Sequence, residues 1–279
     1  MRQKPETVSV VVATYNKPAY LRSTLAWLDR QNHRPNQIVV ADDGSQAETR
    51  MVCEEFTGLR HVWHEDNGFQ KCDILNKAIE VCTSDYVIFI DDDCLCPTWF
   101  VENHMRVAEK RSFTVGSSVN LSEQVTERLL KGESTFADFL AKPALSKMQD
   151  LEIGARGGWL KLFFRVFLMG KPLATLADRI YLGRGVFRGG NSGAWLSDLK
   201  RVNGFNNDMV YGHEDREIGE RLKNAGCACK QVRYAAVNFH MYHERPYADS
   251  TIKESQRAIY RRARSEKIVE CKNGLRQVT

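Results

Sequence analysis

YVIFIDDDCLCPTW, residues 86–99, runs five apolar or aromatic residues straight into three consecutive carboxylates. A continuous apolar run of this length is what a strand buried on both faces requires. At its end Asp91, Asp92 and Asp93 repel one another and lose hydration, so the cluster needs positive charge nearby. A hard divalent cation, Mn²⁺ or Mg²⁺, supplies it and keeps water or phosphate ligands beside one or two carboxylates. The competing reading is a solvated acidic turn. An EF-hand is excluded, because its glycine and closing glutamate are missing at the required offsets.

Upstream, VSVVVATY (8–15) is a second apolar run; Asn16 can cap the helix that follows, Pro18 fits its first turn, and Leu21, Leu25 and Leu28 make its inner stripe. QIVVA (37–41) ends in Asp42-Asp43-Gly44-Ser45, a short helix is expected over 46–56, and a weak strand near His61–His64. Phe69 to Cys82 reads as a helix with Leu75, Ala78, Ile79 and Cys82 facing inward. This alternation predicts an α/β fold with right-handed crossovers and a mostly parallel sheet, whose ligands lie beyond the carboxyl ends of the strands. Thr14-Tyr15-Asn16, Asp42-Asp43 and Asp91-Asp92-Asp93 therefore converge on one rim.

Downstream the pattern is less regular. FTVGSSV (113–119) reads as a strand, 122–150 as helix or loop without clear boundaries, and KQVRYAAV (230–237) as strand-like. Gly189-Gly190-Asn191-Ser192-Gly193 is a small-residue stretch, and Gly212-His213-Glu214-Asp215 opens a helix closed by Gly226. Acidic residues favour a helix N-terminus through its dipole, but a positioned carboxylate can equally take the proton of an attacking hydroxyl. His240 and His243, in NFHMYHERP, are of a type that ligates transition metals.

At 279 residues, with 43% hydrophobic and 27% charged residues, the chain fits one large soluble domain, or one and a half. Its formal charge of +5 suits a polyanionic ligand or an anionic membrane surface. Nucleic acid is not an expected partner, since no compact Lys/Arg run precedes the C-terminal tail. No G-x-G-x-x-G follows a strand and no P-loop occurs, which disfavours dinucleotide oxidoreductases and P-loop enzymes. Among the 8 cysteines, Cys94-x-Cys96 and Cys227-x-Cys229 are too closely spaced for an ordinary zinc site. MRQKPETVSV lacks a signal-peptide core, so reduced thiols in a cytosol are expected. GWLKLFFRVFLMG (158–170) is too short to span a bilayer. It reads as an interfacial helix or as a helix of the core or over the active site.

The strand, the Asp-x-Asp and the turn at Pro97-Thr98-Trp99 resemble the family 2 glycosyltransferases of the GT-A fold. VVVATYNKPAYL resembles that family's first strand and nucleotide-contacting turn, and VVADDGS its second. Asn67-Gly68-Phe69-Gln70-Lys71, continuing to Leu75-Asn76, is similar to its helix start near the nucleotide. Many members carry Arg where this chain has Leu75, so Lys71 stands in as the cation. GGNSGAWLSDLKRVNGFNND and YGHEDREIGERL resemble the galactosyltransferase-type C-terminal module of β-1,4-galactosyltransferases and bacterial chondroitin polymerases. The resemblance covers roughly 7–118 and 186–246, leaving 119–185 unmatched.

What the resemblance implies is an inverting transfer of a Gal, GalNAc, Glc or GlcNAc type sugar from a UDP-sugar to a glycan or lipid-linked acceptor. It places Thr14, Tyr15, Asp42, Asp43, Lys71, Asp91, Asp92, Gly189, Gly190 and Asn191 on the nucleotide sugar. It gives the metal to Asp93 with His243, His240 being the rival, makes Asp215 the base and has Glu214 hold hydroxyls. One GT-A domain over 1–250 is expected, with a nucleotide half (1–118), a variable part (119–185) and a smaller mixed donor-sugar and acceptor half (186–250), then a helical tail over 251–279. The mild positive charge and the interfacial reading of 158–170 suggest cell-envelope polysaccharide or lipopolysaccharide synthesis as the setting, in the cytoplasm or on the cytoplasmic face of the inner membrane. A nucleotidyltransferase and a binding module without turnover are the rival readings.

Overall fold

The computed structural model describes residues 3–152, 158–181, 183, 185–244 and 250–277. Arg245 and Pro246, the end of the His-bearing segment, and Met1 and Arg2 of the leader reading lie outside them. Ten strands are present among the described residues: β1 Val8–Thr14, β2 Gln37–Asp42, β3 Arg60–Trp63, β4 Tyr86–Asp91, β5 Cys94–Leu95, β6 Ser112–Val115, β7 Ser117–Asn120, β8 Ser192–Trp195, β9 Ala228–Gln231 and β10 Val237–His240. The helices are α1 Pro18–Leu28, α2 Ala47–Glu54, α3 Lys71–Val81, α4 Phe100–Val107, α5 Glu123–Leu130, α6 Phe136–Ala141, α7 Ala144–Lys147, α8 Trp159–Leu168, α9 Pro172–Ile180, α10 Leu196–Arg201, α11 Glu214–Asn224 and α12 Ser250–Ser265.

A 7-stranded sheet has the order β3-β2-β1-β4-β8-β6-β9, and β8 alone of these runs against the others. Alternate residues of β1 serve different faces: Val11 and Ala13 join one core layer, Val8, Val10 and Val12 the other. That double burial is why the strand reads as an unbroken apolar run. The parallel register puts Thr14 opposite Asp42 and Ala13 opposite Asp91. The three acidic and polar strand ends are therefore level with one another, as the alternating pattern predicts.

A 3-stranded sheet, β5-β10-β7, stands beside the large one. Its apolar face carries Leu95, Val119 and Phe239, covered by Phe136 and Phe139 of α6 and by Leu162 and Val166 of α8. Two sequence expectations change here. FTVGSSV is not one strand but two, β6 and β7, split at Gly116; KQVRYAAV likewise splits into β9 and β10. Both chains leave the large sheet at the same level and re-pair in parallel in the small one. The turn between β9 and β10 is held by Asp178, which accepts Tyr234 N and Ala235 N at 2.9 and 3.0 Å. Hydrophobic patterning does not announce the first switch, because β6 and alternate residues of β7 remain buried.

Asn16 does not cap α1. Lys17 occupies that position. Asn16 sits at φ 52°, and its side-chain oxygen accepts Gln46 N at 2.9 Å, tying the first strand end to the second. The segment 158–170 is helical as α8, buried through Leu162 and Val166, yet Trp159, Leu160, Phe164 and Phe167 are exposed. Among the described residues no helix is long and apolar enough to cross a membrane. All eight cysteines are free thiols.

Candidate active site

A cleft of about 420 Å³ opens at the carboxyl ends of β1, β2 and β4. Thr14, Tyr15, Lys17, Asp43, Lys71 and Asp91–Asp93 line it together with His240, His243, Phe69 and Tyr211. The small sheet explains the meeting. His240 pairs with Cys94 in antiparallel register, and Met241 N donates to Asp93 O at 2.8 Å, so the histidine segment runs directly past the carboxylates.

Each aspartate of the triplet has its own partner. Lys71 Nζ lies 2.6 Å from Asp91. Thr14 Oγ1 donates to Asp92 at 2.7 Å. Asp93 faces Lys17 Nζ at 3.0 Å, His243 Nε2 at 3.0 Å and His240 Nε2 at 3.4 Å. Burial and the adjacent Asp93 charge push the Asp92 carboxyl well above its usual range. Burial also works against ionising Asp93, but the His243 hydrogen bond and the charges of His240 and Lys17 outweigh it and hold that carboxyl well below. The hydrogen bond to Asp93 in turn raises His243. The two neighbouring carboxyls are thus pushed in opposite directions, as buried like charges are.

The ligand atoms of Asp93, His240 and His243 all fall within 4.8 Å of one another. One carboxylate and two imidazoles suit Mn²⁺ better than Mg²⁺, which prefers oxygen. Asp91, Asp93 and Cys94 form a second cluster. Among the described residues none joins Cys94 to Cys96 or Cys227 to Cys229, so the cysteine pairs make no zinc site there.

Two of the residues expected on the nucleotide sugar, Asp42 and Asn191, do not line the cleft. Asp42 is fully buried; its oxygens are engaged by Ser45 N at 2.8 Å and His61 Nε2 at 2.8 Å, which makes it a brace for the turn. Asp43 is the member of the pair that lines the cleft, held by Gln70 N at 3.1 Å and His64 Nε2 at 2.8 Å, and burial pushes its carboxyl up. Asn191 is also fully buried. Its amide donates to Ser117 O and Ala236 O at 3.1 and 2.9 Å, and its oxygen receives His104 Nε2 at 3.0 Å. It joins the two sheet-switching points and does not face the cleft.

The flanking glycines do approach it. A Cβ on Gly190 would stand 2.7 Å from an Asp91 oxygen, and one on Gly189 would stand 3.7 Å from Lys71 Nζ. Gly189 N donates to Asp215 Oδ2 at 3.3 Å. Glu214 and Asp215 thus reach the cleft rim through Gly189 and Lys71. Burial pushes both carboxyls up, Glu214 further because Asp215 is beside it. Glu214 Oε2 is buried without a hydrogen-bond partner among the described residues. The Asp91 and Glu214 charges overcome burial to keep Lys71 protonated. Below them Arg221, fully buried, grips Glu217 at 2.7 Å and Gly204 O at 2.8 Å, fixing the direction of α11. Removing either member of such a pair would leave an uncompensated charge.

The sequence reading missed Lys17, the bracing His61 and His64, and His104. Lys17 was findable, since three carboxylates demand a cation and the turn ATYNKP offers one. His104 gives a testable consequence. Its Nδ1 receives Thr114 Oγ1 at 2.6 Å, and burial depresses the ring from 6.5 to about 4. Above pH 6.5 the ring is neutral in both the folded and the unfolded chain; between pH 6.5 and about 4 only the unfolded chain takes the proton. Stability should therefore fall as pH drops through that window, by about 3 kcal/mol from this group. Urea midpoints at both ends of the window should show a smaller drop for His104→Gln than for the wild type. Equal drops would remove His104 as the cause.

The profile of glycosyl transferase family 2 matches residues 9–169, more than half of the chain. The chain belongs to glycosyl transferase family 2. A second profile, described as the N-terminal domain of galactosyltransferase, matches 177–244. The two matches together take in most of 119–185, which the motif resemblance left uncovered. This family 2 chain is 26% identical to the chondroitin synthase of Escherichia coli over 86% of its own length and 35% of that protein. It is 32% identical to validoxylamine A glucosyltransferase of Streptomyces hygroscopicus subsp. limoneus, over 78% of this chain and 48% of that one. It therefore spans less than half of these relatives. The mannosyltransferase from Pyrobaculum calidifontis, solved in complex with GDP-Man and Mn²⁺, shares the fold at a TM-score of 0.55 and 19% identity, covering 88% of this chain and 59% of that one. The architecture is GT-A.

Proposed function

We propose that this family 2 glycosyltransferase transfers a hexose, of Gal, GalNAc, Glc or GlcNAc type, from a UDP-sugar to a hydroxyl of a glycan or lipid-linked glycan, with inversion. The observation that carries the reading is the convergence of Asp93, His240 and His243 in a cleft that Asp43 also lines, with Asp215 near its rim. Asp43 would accept an N–H of the base, and a carboxylate, being acceptor-only, selects a base edge that donates. Gly189 and Gly190 leave room for the donor sugar beside Asp91 and Lys71. Lys71 stays charged close to the leaving diphosphate. Asp215 takes the proton from the acceptor hydroxyl as it attacks the anomeric carbon, with Glu214 orienting it. Asp93, His240 and His243 would hold a divalent ion, Mn²⁺ in preference to Mg²⁺. Such an ion supplies charge neutralisation at the pyrophosphate. Holding the reactants in line lowers the barrier further, by up to about 7–11 kcal/mol.

Nucleotide release with Mn²⁺ from a panel of UDP-sugars and GDP-mannose, each with glycan acceptors, tests the proposal. UDP release from one UDP-hexose is the expected outcome. Release from GDP-mannose alone would move the base assignment, and no release with measurable nucleotide binding would favour a binding module.

The lipid-linked acceptor rests on α8 and α9. Leu160, Phe164, Phe167, Leu173, Leu176 and Ile180 are exposed, the cations Lys161, Arg165, Lys171 and Arg179 lie among them, and Asp178, the carboxylate of this segment, is buried. Exposed apolar side chains interleaved with cations suit the face of an anionic membrane, here the cytoplasmic face of the inner membrane, where envelope polysaccharide or lipopolysaccharide would be built. Replacing Leu160 and Phe164 together by Ser should cut co-sedimentation with phosphatidylglycerol vesicles by at least about tenfold, given the apolar area withdrawn. Unchanged sedimentation would end the membrane reading.

A further inference from the structure

A second groove, of about 590 Å³, lies between the start of α11 and the length of α12. His213 and Arg216 line it from the α11 side, and Arg257, Tyr260, Arg261 and Arg264 from α12. The α12 residues recur at three- and four-residue spacing, which places them on one face of that helix. Among the described residues the carboxylates that face them are Glu254, 3.5 Å from Arg257 and 3.6 Å from Arg261, Glu220, 3.9 Å from Arg264 and 3.5 Å from Lys223, and Asp215, whose charge acts on His213 and Arg216. Four guanidinium groups thus meet three carboxylates, one of them shared with Lys223, and among the described residues the groove keeps a net positive charge.

Its position is informative. His213 immediately precedes Glu214, and Arg216 immediately follows Asp215, so the groove begins where the proton-accepting pair ends. The His213 and Tyr260 rings stand 5.9 Å apart and offer flat faces beside the cations. We infer that this groove binds an anionic group, phosphate or carboxylate, on the acceptor glycan and thereby selects which hydroxyl reaches Asp215; the inference rests on Asp215 being the base. Guanidinium forks match both anions in bidentate geometry, and ring faces suit sugar planes. A volume of this order suits a sugar unit more than a bare ion. A lipid surface fits less well, because residues 254–265 carry none of the exposed large apolar side chains that anchor an interfacial helix.

The test is fluorescence anisotropy with labelled tetragalacturonate, a labelled maltotetraose phosphate and neutral maltotetraose. The proteins are the wild type, Arg257→Gln/Arg261→Gln, and the equally charged control Arg30→Gln/Arg34→Gln, whose residues are exposed and far along the chain from the groove. At least one anionic chain should bind the wild type, lose about tenfold in affinity or more in the groove variant, and change by less than about twofold in the control. The tighter of the two anions names the charged group. Equal losses in both variants, tight binding of the neutral chain, or no binding of either anion would overturn the inference. So would a groove variant that keeps its glycan affinity but no longer binds vesicles of equal parts phosphatidylcholine and phosphatidylglycerol, since that would assign the arginines to headgroups. UDP affinity with Mn²⁺, measured on the same proteins, separates the two readings. Its absence in the wild type counts against the donor cleft, whereas anion binding that ignores the arginines counts against the groove alone.

Discussion

Asp215→Asn should lower turnover by roughly 10³-fold while leaving UDP affinity within about threefold, a loss in the range expected for a missing general base. Asparagine keeps the shape and can still accept Gly189 N, the contact that Asp215 Oδ2 makes at 3.3 Å. What it cannot do is take a proton. Asp215 is not a wall of the nucleotide cleft, so donor binding has no reason to change. A pH profile adds a readout that a purely structural role would not move. Burial raises the Asp215 carboxyl, and the reaction needs it ionised, so wild-type turnover should fall as pH drops through that raised value. The same acidic limb should vanish in the variant. A large loss of UDP affinity, or an unchanged acidic limb, would return Asp215 to the role of a helix N-terminal carboxylate.

Asp93→Ala should abolish metal-dependent donor binding altogether. The side chain is 3% exposed and is the carboxylate shared by His240, His243 and Lys17. Deleting it leaves two imidazoles, a set too poor to hold Mn²⁺ beside a phosphate. The loss should exceed the ~10–100-fold that follows when only a supporting partner of a ligand is removed. Folding should survive, because Lys17 keeps a quarter of its side chain exposed (25%) and lies over the Tyr20 ring, so that losing the Asp93 carboxylate does not bury a bare charge. A Mn²⁺ titration of UDP binding decides it: an unaltered curve would mean that the ion is held elsewhere, and a collapsed melting profile would mean that Asp93 is structural.

The three strand ends were legible because each strand is buried on both faces, which forces an unbroken apolar run and makes the carboxylates that follow conspicuous. Of the glycines at 189 and 190, only the second is sterically constrained: a Cβ there would stand 2.7 Å from an Asp91 oxygen, whereas at Gly189 it would meet Lys71 Nζ at an ordinary 3.7 Å. Asn191 and Asp42 read as ligand contacts because a buried polar residue and an exposed one look alike in one dimension. Only the partners, His104 with two carbonyls for the first and Ser45 N with His61 for the second, show that these side chains face inward. The arginine groove was illegible too, since Arg216 and Arg257 stand far apart in the chain and meet only when α12 folds back on α11.

The hub at Asn191 has an effect on what the protein can tolerate. The polypeptide from β7 to the glycine pair departs beside Ser117 and returns at Asn191 itself, so a single carboxamide pins both ends of some seventy intervening positions. Lengthening or shortening that excursion changes its closure entropy only slowly, as the logarithm of its size. The distance between the aspartates and the imidazoles is set where β10 pairs with β5, and the parts of the excursion that hold β10, namely β7, α6, α8 and Asp178, must stay in place. Only the stretches between those braces can change length without retuning the chemistry.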